Sequence, residues 1–257
     1  MSAVQLSTAD FRNRVAVVTG AGSGIGAASA RMFATRGASV MVTDIDGERA
    51  EAVAMSIRSD GGQAVGTVCD VGNLEAWQML AGEIQSRHGR VDVVHNNAFA
   101  LNLAPAHELP EADWEQQVSV CLSSVYRSVR TLFGLFPEGQ GAMVNTASVH
   151  AALAFPGHPA YAAAKGGMIS LTKQLAIEYG PGLRVNAVVP GPIETPVWDA
   201  TTLEYRRRSA SVTAAGRLGT ADEVAAAVCF LASDAASYIT GASLLVDGGY
   251  TAKKDPT

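Results

Sequence analysis

Between the apolar run VAVVTG at 15 to 20 and a segment of helical period from Gly24 to Arg36 lies Thr19-Gly20-Ala21-Gly22-Ser23-Gly24-Ile25-Gly26. Glycines in that place let the chain turn tightly from a strand into a helix and bring its backbone close to a bound group. The first N–H groups of a helix have no intrahelical partner, and the helix start carries partial positive charge. A strand, this turn and a helix together are suited to a pyrophosphate. Gly20, Ser23, Gly24, Ile25 and Gly26 are therefore the expected dinucleotide cradle.

The alternation of apolar runs and helical segments continues along the chain. SVMVTD at 39 to 44, AVGTVCD near 64 to 70, VDVVHN near 91 to 96, AMVNTAS near 142 to 148, RVNAVV near 184 to 189 and ASLLVD near 242 to 247 bring the total to about seven strands. These runs are continuously apolar instead of alternating, so helices are expected on both sheet faces. The expectation is an α/β, single-domain Rossmann fold over residues 1–257, with a doubly wound parallel sheet and right-handed crossovers. A composition of 48% apolar and 17% charged residues supplies one core and shows no compositional sign of disorder. The interval 190–219, with PGPIETPVW and then EYRRRS, is poor in periodic pattern and is the expected substrate lid.

Charge and composition exclude other classes. Nineteen basic against 24 acidic residues give a net charge of −5 with the signs mixed, which offers no basic face to nucleic acid. The first thirteen residues lack the basic start and apolar run of a secretory signal, and no stretch of 18 apolar residues follows, so a cytoplasmic protein without membrane spans is expected. Cys69, Cys121 and Cys229 are far apart and lack metal-ligand spacing; free buried thiols, with no disulfide and no metal, are expected.

Asp44 stands at the end of the second strand, 18 residues beyond Gly26. A carboxylate there can bind the adenine ribose hydroxyls. A 2′-phosphate about 5 Å away would meet a repulsion of roughly 3 kcal/mol per unit charge. Ser23 and Ile45 are neutral and bring no compensating charge, and no other basic residue is expected nearby. NAD is thus favoured over NADP.

TGAGSGIG, with NNA at 96 to 98, Ser148 and YAAAK at 161 to 165, resembles the short-chain dehydrogenase/reductase family over nearly the whole chain. The resemblance implies that Asp70 and Val71 contact adenine. It also implies that Asn96 to Ala98 support the cofactor ribose, and that Pro190, Gly191, Ile193 and Thr195 of PGPIET hold the nicotinamide end. VDGG at 246 to 249 also matches. A homotetramer is implied as well, with Val224 to Leu231 and ASLLVDGG as candidate interface segments.

The chemistry of the residues agrees. Tyr161 and Lys165 are four apart on a segment of helical period and share a face. A phenol with a pKa of about 10 needs a drop of roughly 2 to 3 units to serve as a base near neutral pH. Lys165 and an oxidised nicotinamide are two positive neighbours that together can supply it. Tyr161 would then take the proton of a secondary alcohol, or return it to a ketone, while hydride passes to or from the nicotinamide. Ser148 would hold the substrate oxygen. By resemblance, Lys165 would also bind the nicotinamide ribose.

Two positions depart from the family pattern. Cys121 stands where most members carry an asparagine whose backbone positions a water in the proton relay, which predicts a less efficient relay. Phe99 stands where glycine is usual, and its ring is expected to narrow the pocket or shift the local backbone. His150, His158 and Trp198 are candidates for contact with a small-molecule substrate, each with packing as the alternative. Arg206 to Arg208 read as a solvated helix face, against an anion-binding role. Three activities stay open: an NAD-dependent dehydrogenase, an NADPH-dependent carbonyl or ketoacyl reductase, and a catalytically silent nucleotide sensor.

Overall fold

The computed structural model describes residues 10–199 and 201–252. Seven parallel strands form one sheet: β1 (Val15–Thr19), β2 (Ser39–Asp44), β3 (Gln63–Val68), β4 (Val93–Asn96), β5 (Gly141–Thr146), β6 (Leu183–Pro190) and, last in the chain, β9 (Ser243–Val246). Their spatial order is β3-β2-β1-β4-β5-β6-β9, with every neighbouring pair parallel. The order reverses between β1 and β4. In an open α/β sheet that reversal leaves a crevice at the carboxyl ends of the two strands. The glycine turn after β1 and Asn97–Ala98 after β4 meet there.

The helices are α1 (Gly24–Thr35), α2 (Gly47–Ser59), α3 (Leu74–His88), α4 (Glu111–Val118), α5 (Ser124–Leu132), α6 (Pro159–Tyr179), α7 (Leu203–Ser211) and α8 (Ala221–Ala232). Their starts follow local chemistry. The Asp46 and Asn73 side chains accept the first free N–H groups of α2 and α3, Pro159 opens α6, and Thr220 with Glu223 closes a reciprocal capping box on α8. Small residues on α1, including Ala27, Ala30 and Ala34, are buried in the core on the sheet face it shares with α8. A second core, with Trp77, Leu132, Met143 and Met168, covers the opposite face.

The seven strands and the two-sided cover agree with the sequence expectation. The interval 190–219 does not lack structure. Ile193–Glu194 (β7) pairs in parallel with Gly219–Thr220 (β8), a short 3₁₀ turn spans Pro196–Trp198, and α7 follows. Two-residue strands are too short to show a period, and a nine-residue polar helix has no apolar stripe to reveal it. Within Val224 to Leu231, Val224, Val228 and Leu231 are buried within this chain, because α8 turns its apolar face onto α1 and the sheet, while Phe230 is exposed. Leu244 and Leu245 on edge strand β9 are exposed.

α4 and α5 form one helix interrupted by a π-turn at Ser119–Ser123, with Cys121 buried inside it. All three cysteines are free and buried. Among the described residues no helix is long and apolar enough to cross a membrane, and no group of three or more His, Cys, Asp or Glu side chains could hold a metal.

Candidate active site

A cavity of about 780 Å³ opens at the strand reversal and is walled by loops from the carboxyl edge of the sheet. Gly20, Ser23, Gly24 and Ile25 line one side, Pro190, Gly191, Ile193 and Thr195 another, and Ser148, Tyr161 and Lys165 the floor. His150, His158 and Trp198 also line it.

The glycine turn is shaped by close approach. Gly20 has φ +60°, and a Cβ there would lie 2.8 Å from Ala98 Cα. A Cβ on Gly26 would lie 2.2 Å from the Gly20 carbonyl oxygen, so only glycine lets α1 begin this near to the turn. Ser23, the N-cap of α1, makes no side-chain capping bond, and the first turn of α1 holds no acidic residue. The helix start thus keeps free donors and a positive dipole end facing the cavity. The cradle fits a pyrophosphate.

Asp44 accepts hydrogen bonds from the Gly22 N–H at 2.9 Å and the Asp46 N–H at 3.0 Å, which fixes its carboxylate beside the turn. One expectation fails here. A Cβ on Gly22 would lie 2.8 Å from Arg49 Cβ, so a basic residue does stand beside Asp44, brought back by the first turn of α2. Its guanidinium pairs with Asp46 at 3.1 Å.

Asp70, Val71 and Asn96 are not in the lining of this cavity. The Val71 side chain is in the core, and its carbonyl accepts the Trp77 indole N–H at 3.1 Å, while the exposed Asp70 accepts the Gly72 N–H. Asn96 is buried and donates to Asn145 across the sheet at 2.9 Å. Asn97 is the amide that lines the cavity, donating to the Thr19 and Gly20 carbonyls at 3.0 and 3.2 Å. Asn96 ends β4 and Asn97 lies one residue beyond it at the carboxyl edge, and NNA alone does not say where the strand stops.

Ser148 lies two residues beyond the end of β5 and caps the following 3₁₀ turn, its Oγ accepting the His150 N–H at 3.2 Å. Its side chain stands near enough to the Tyr161 phenol to favour the ionised form. One turn of α6 separates Tyr161 from Lys165, whose Nζ lies 5.5 Å from the tyrosine ring centroid and donates to the Thr146 carbonyl at 2.6 Å. Burial pushes the phenol above its ordinary value of 10; the nearby Cys121 sulfur adds to this and the Ser148 side chain opposes it. Burial also pulls Lys165 below its ordinary value. In the protein alone desolvation outweighs the ammonium, and the lowering expected for Tyr161 requires a further positive charge.

Beneath Lys165 the fully buried His95 places Nε2 2.8 Å from Thr146 Oγ1. Burial, with Lys165 nearby, pulls His95 down to about 3, so it is neutral. His150 is likewise pulled down to about 4 by burial and by His158. His95 escaped the sequence reading because a histidine inside an apolar strand looks like core.

Cys121 Sγ accepts from the Ala100 N–H and donates to the Ala100 carbonyl, both at 3.4 Å, tying the π-turn to the loop after β4. Phe99 in that loop lines the cavity. Arg206 is not purely solvated: it donates to the Trp198 carbonyl and lies within 4 Å of Glu194 and Asp199. Phe155, Tyr205 and Tyr250 also line the cavity and carried no sequence signal, being single aromatics in segments without an apolar period.

A doubly wound sheet with a glycine cradle at its reversal and a serine, tyrosine and lysine at its edge defines a nucleotide-dependent oxidoreductase. The family model described as enoyl-(acyl carrier protein) reductase matches residues 20–251. The chain belongs to the short-chain dehydrogenase/reductase family, whose dehydrogenases use nicotinamide cofactors. It is 40% identical over 252 residues to D-threitol dehydrogenase of Mycolicibacterium smegmatis, covering 95% of this chain and 96% of that one. It is 42% identical over 245 residues to cis-4-hydroxycyclohexanecarboxylate dehydrogenase of Sinomonas cyclohexanicum, covering 94% and 98%. The crystal structure of levodione reductase superposes with a TM-score of 0.89 at 32% identity, over 95% of this chain and all of that one.

Proposed function

We propose that this chain is an NAD-dependent dehydrogenase that interconverts secondary alcohols and ketones, with Tyr161 as its general base and acid. The observation that carries this reading is the placement of Ser148, Tyr161 and Lys165 on the floor of one cavity that runs to the glycine turn. The similar dehydrogenases named for D-threitol and for a hydroxycyclohexanecarboxylate support an alcohol as substrate. Gly20, Ser23, Gly24 and Ile25 would hold the pyrophosphate, Asp44 the adenine ribose, and Pro190, Gly191, Ile193 and Thr195 the nicotinamide end. Bound there, the nicotinamide supplies the hydride acceptor and a second positive charge.

The chain's own residues do the proton chemistry. Ser148 Oγ holds the hydroxyl oxygen and donates to the charge that develops on it. Tyr161 takes the hydroxyl proton as a phenolate, and Lys165, within 6 Å of the ring face, stabilises that charge. In the reverse direction the phenol returns the proton to the ketone oxygen. Residues 190–219 act as the substrate flap, and the exposed Leu244 and Leu245 of β9 are candidates for a homotetramer interface.

An NADPH-dependent reductase is the second reading, and Arg49 beside Gly22 is the observation that favours it. Asp44 favours NAD, because its carboxylate is held against the turn while Arg49 pairs with Asp46. The test is absorbance of the reduced nucleotide with secondary alcohols and NAD⁺ or NADP⁺, for the protein and for Tyr161→Phe. NADH formation that Tyr161→Phe abolishes is expected. Activity with NADP⁺ alone overturns the nucleotide, and undiminished turnover by Tyr161→Phe overturns the mechanism.

A further inference from the structure

We infer that the substrate is a neutral secondary alcohol carried on an apolar ring, alicyclic or aryl, held between two aromatic walls, and that free acids and open-chain polyols are poor ligands. This rests on the dehydrogenase reading. One wall follows β5: Phe155 stacks on His150 with ring centroids 4.3 Å apart, and Tyr250 lies behind Phe155 at 6.4 Å. His150 meets Tyr161 edge-on at 5.3 Å, so this wall stands beside the reacting oxygen. The other wall is in the flap, where Trp198 packs against Tyr205 at 5.8 Å. Phe99, Leu101 and Leu103, in the segment after β4, line the cavity as well. Flat surfaces on two sides favour a ring over a flexible chain, because a ring loses less conformational freedom and covers more apolar area.

The charge argument is independent of shape. Among the described residues that line the cavity, Lys165 is the one lysine, arginine, aspartate or glutamate, and it is engaged with the Thr146 carbonyl. His150 is held neutral by burial. Arg206 of the flap donates to the Trp198 carbonyl and lies beside Glu194 and Asp199. Away from the nicotinamide, a carboxylate or phosphate would enter an apolar site with no free lysine or arginine in its lining, and the His158 Nδ1 there already donates to the Pro156 carbonyl. A polyol covers less of these apolar walls than a ring does, and its extra hydroxyls would shed water against them.

The test compares kcat/KM for 4-methylcyclohexanol, 4-hydroxycyclohexanecarboxylate and threitol, with NAD⁺ and with NADP⁺. The first two share a ring and a secondary alcohol and differ in methyl against carboxylate. The methyl compound is expected to exceed each of the others by at least about 10-fold. Leu103→Arg, at an exposed position of the cavity rim, is expected to raise the carboxylate-to-methyl ratio by about 10-fold by supplying the missing cation. Equal or greater efficiency with the carboxylate or with threitol overturns the substrate class and leaves the dehydrogenase reading standing. A ratio that Leu103→Arg does not move overturns the charge argument. If NADH binds, as seen by its fluorescence, while none of the three alcohols is turned over with either nucleotide, the dehydrogenase reading itself falls.

Discussion

The Lys165 ammonium lies 5.5 Å from the Tyr161 ring centroid while it donates at 2.6 Å to the Thr146 carbonyl. One cation is thereby fixed near the phenol by a backbone group that cannot titrate. Lys165→Met keeps the length of the side chain and removes the charge. It is expected to lower the rate of alcohol oxidation roughly 100-fold or more at neutral pH, within the range for loss of effective acid–base catalysis. The pH at which the rate is half-maximal should rise, because the phenolate loses a stabilising neighbour. Rate profiles from pH 6 to 11 check this, and identical profiles would remove Lys165 from the proton chemistry.

Asp44 is held by two backbone N–H groups beside the glycine turn. Asp44→Ser keeps a hydrogen-bonding oxygen and removes the charge. The preference for NAD⁺ over NADP⁺ in kcat/KM should fall by at least about 100-fold, from the roughly 3 kcal/mol per unit charge that a carboxylate imposes on a phosphate about 5 Å away. Arg49 should strengthen the effect once its acidic neighbour is gone, so Asp44→Ser with Arg49→Ala is expected to regain part of the lost preference. Steady-state kinetics with both nucleotides decide it.

The buried His95 makes stability depend on pH. Its folded pKa of about 3 lies far below the ordinary 6.5, so below 6.5 the unfolded chain binds a proton that the folded chain refuses. The stability it contributes is complete above 6.5 and declines as pH falls toward 3. Between pH 7 and pH 5 it should account for a loss of about 2 kcal/mol. Urea unfolding at the two pH values should show this loss, and His95→Gln, which retains a donor for Thr146, should remove about that much of the dependence. An unchanged dependence would mean that His95 is not the group responsible.

Cys121 fills the π-turn with a thiol where the family resemblance implies an amide, and both of its hydrogen bonds go to Ala100. The turn still presents a backbone carbonyl, so a water can be held there, but sulfur makes weaker hydrogen bonds than an amide. Cys121→Asn is expected to raise turnover by a few-fold and to alter its pH profile. Turnover and pH profile that both match the parent protein would disprove a role for this position in proton transfer.

The sheet was readable in the sequence because its strands are buried on both faces and appear as unbroken apolar runs. The glycine turn was readable because steric need leaves one residue type at Gly20 and Gly26. Tyr161 and Lys165 could be paired from helical spacing alone. What stayed hidden depended on contacts made far along the chain. Arg49 reaches the glycine turn only because α2 folds back, and within Asn96 to Ala98 it is Asn97, one residue beyond β4, that lines the cavity. Phe155, Tyr205 and Tyr250 come from three segments without an apolar period. Val224 and Val228 were equally ambiguous, since an apolar helix face fits a core as well as an interface.

The pairing of Ile193 with Gly219 and of Glu194 with Thr220 closes the base of the flap like a clasp. The described residues between 195 and 218 leave the sheet at that clasp and are tied back where the Ala215 N–H donates to the Gly248 carbonyl, while Tyr161 and Lys165 sit on a different helix anchored in the core. On the proposed reading the flap is a cassette: its length and lining can be exchanged for another of matching ends, giving a new choice of alcohol, without disturbing the groups that would move the proton.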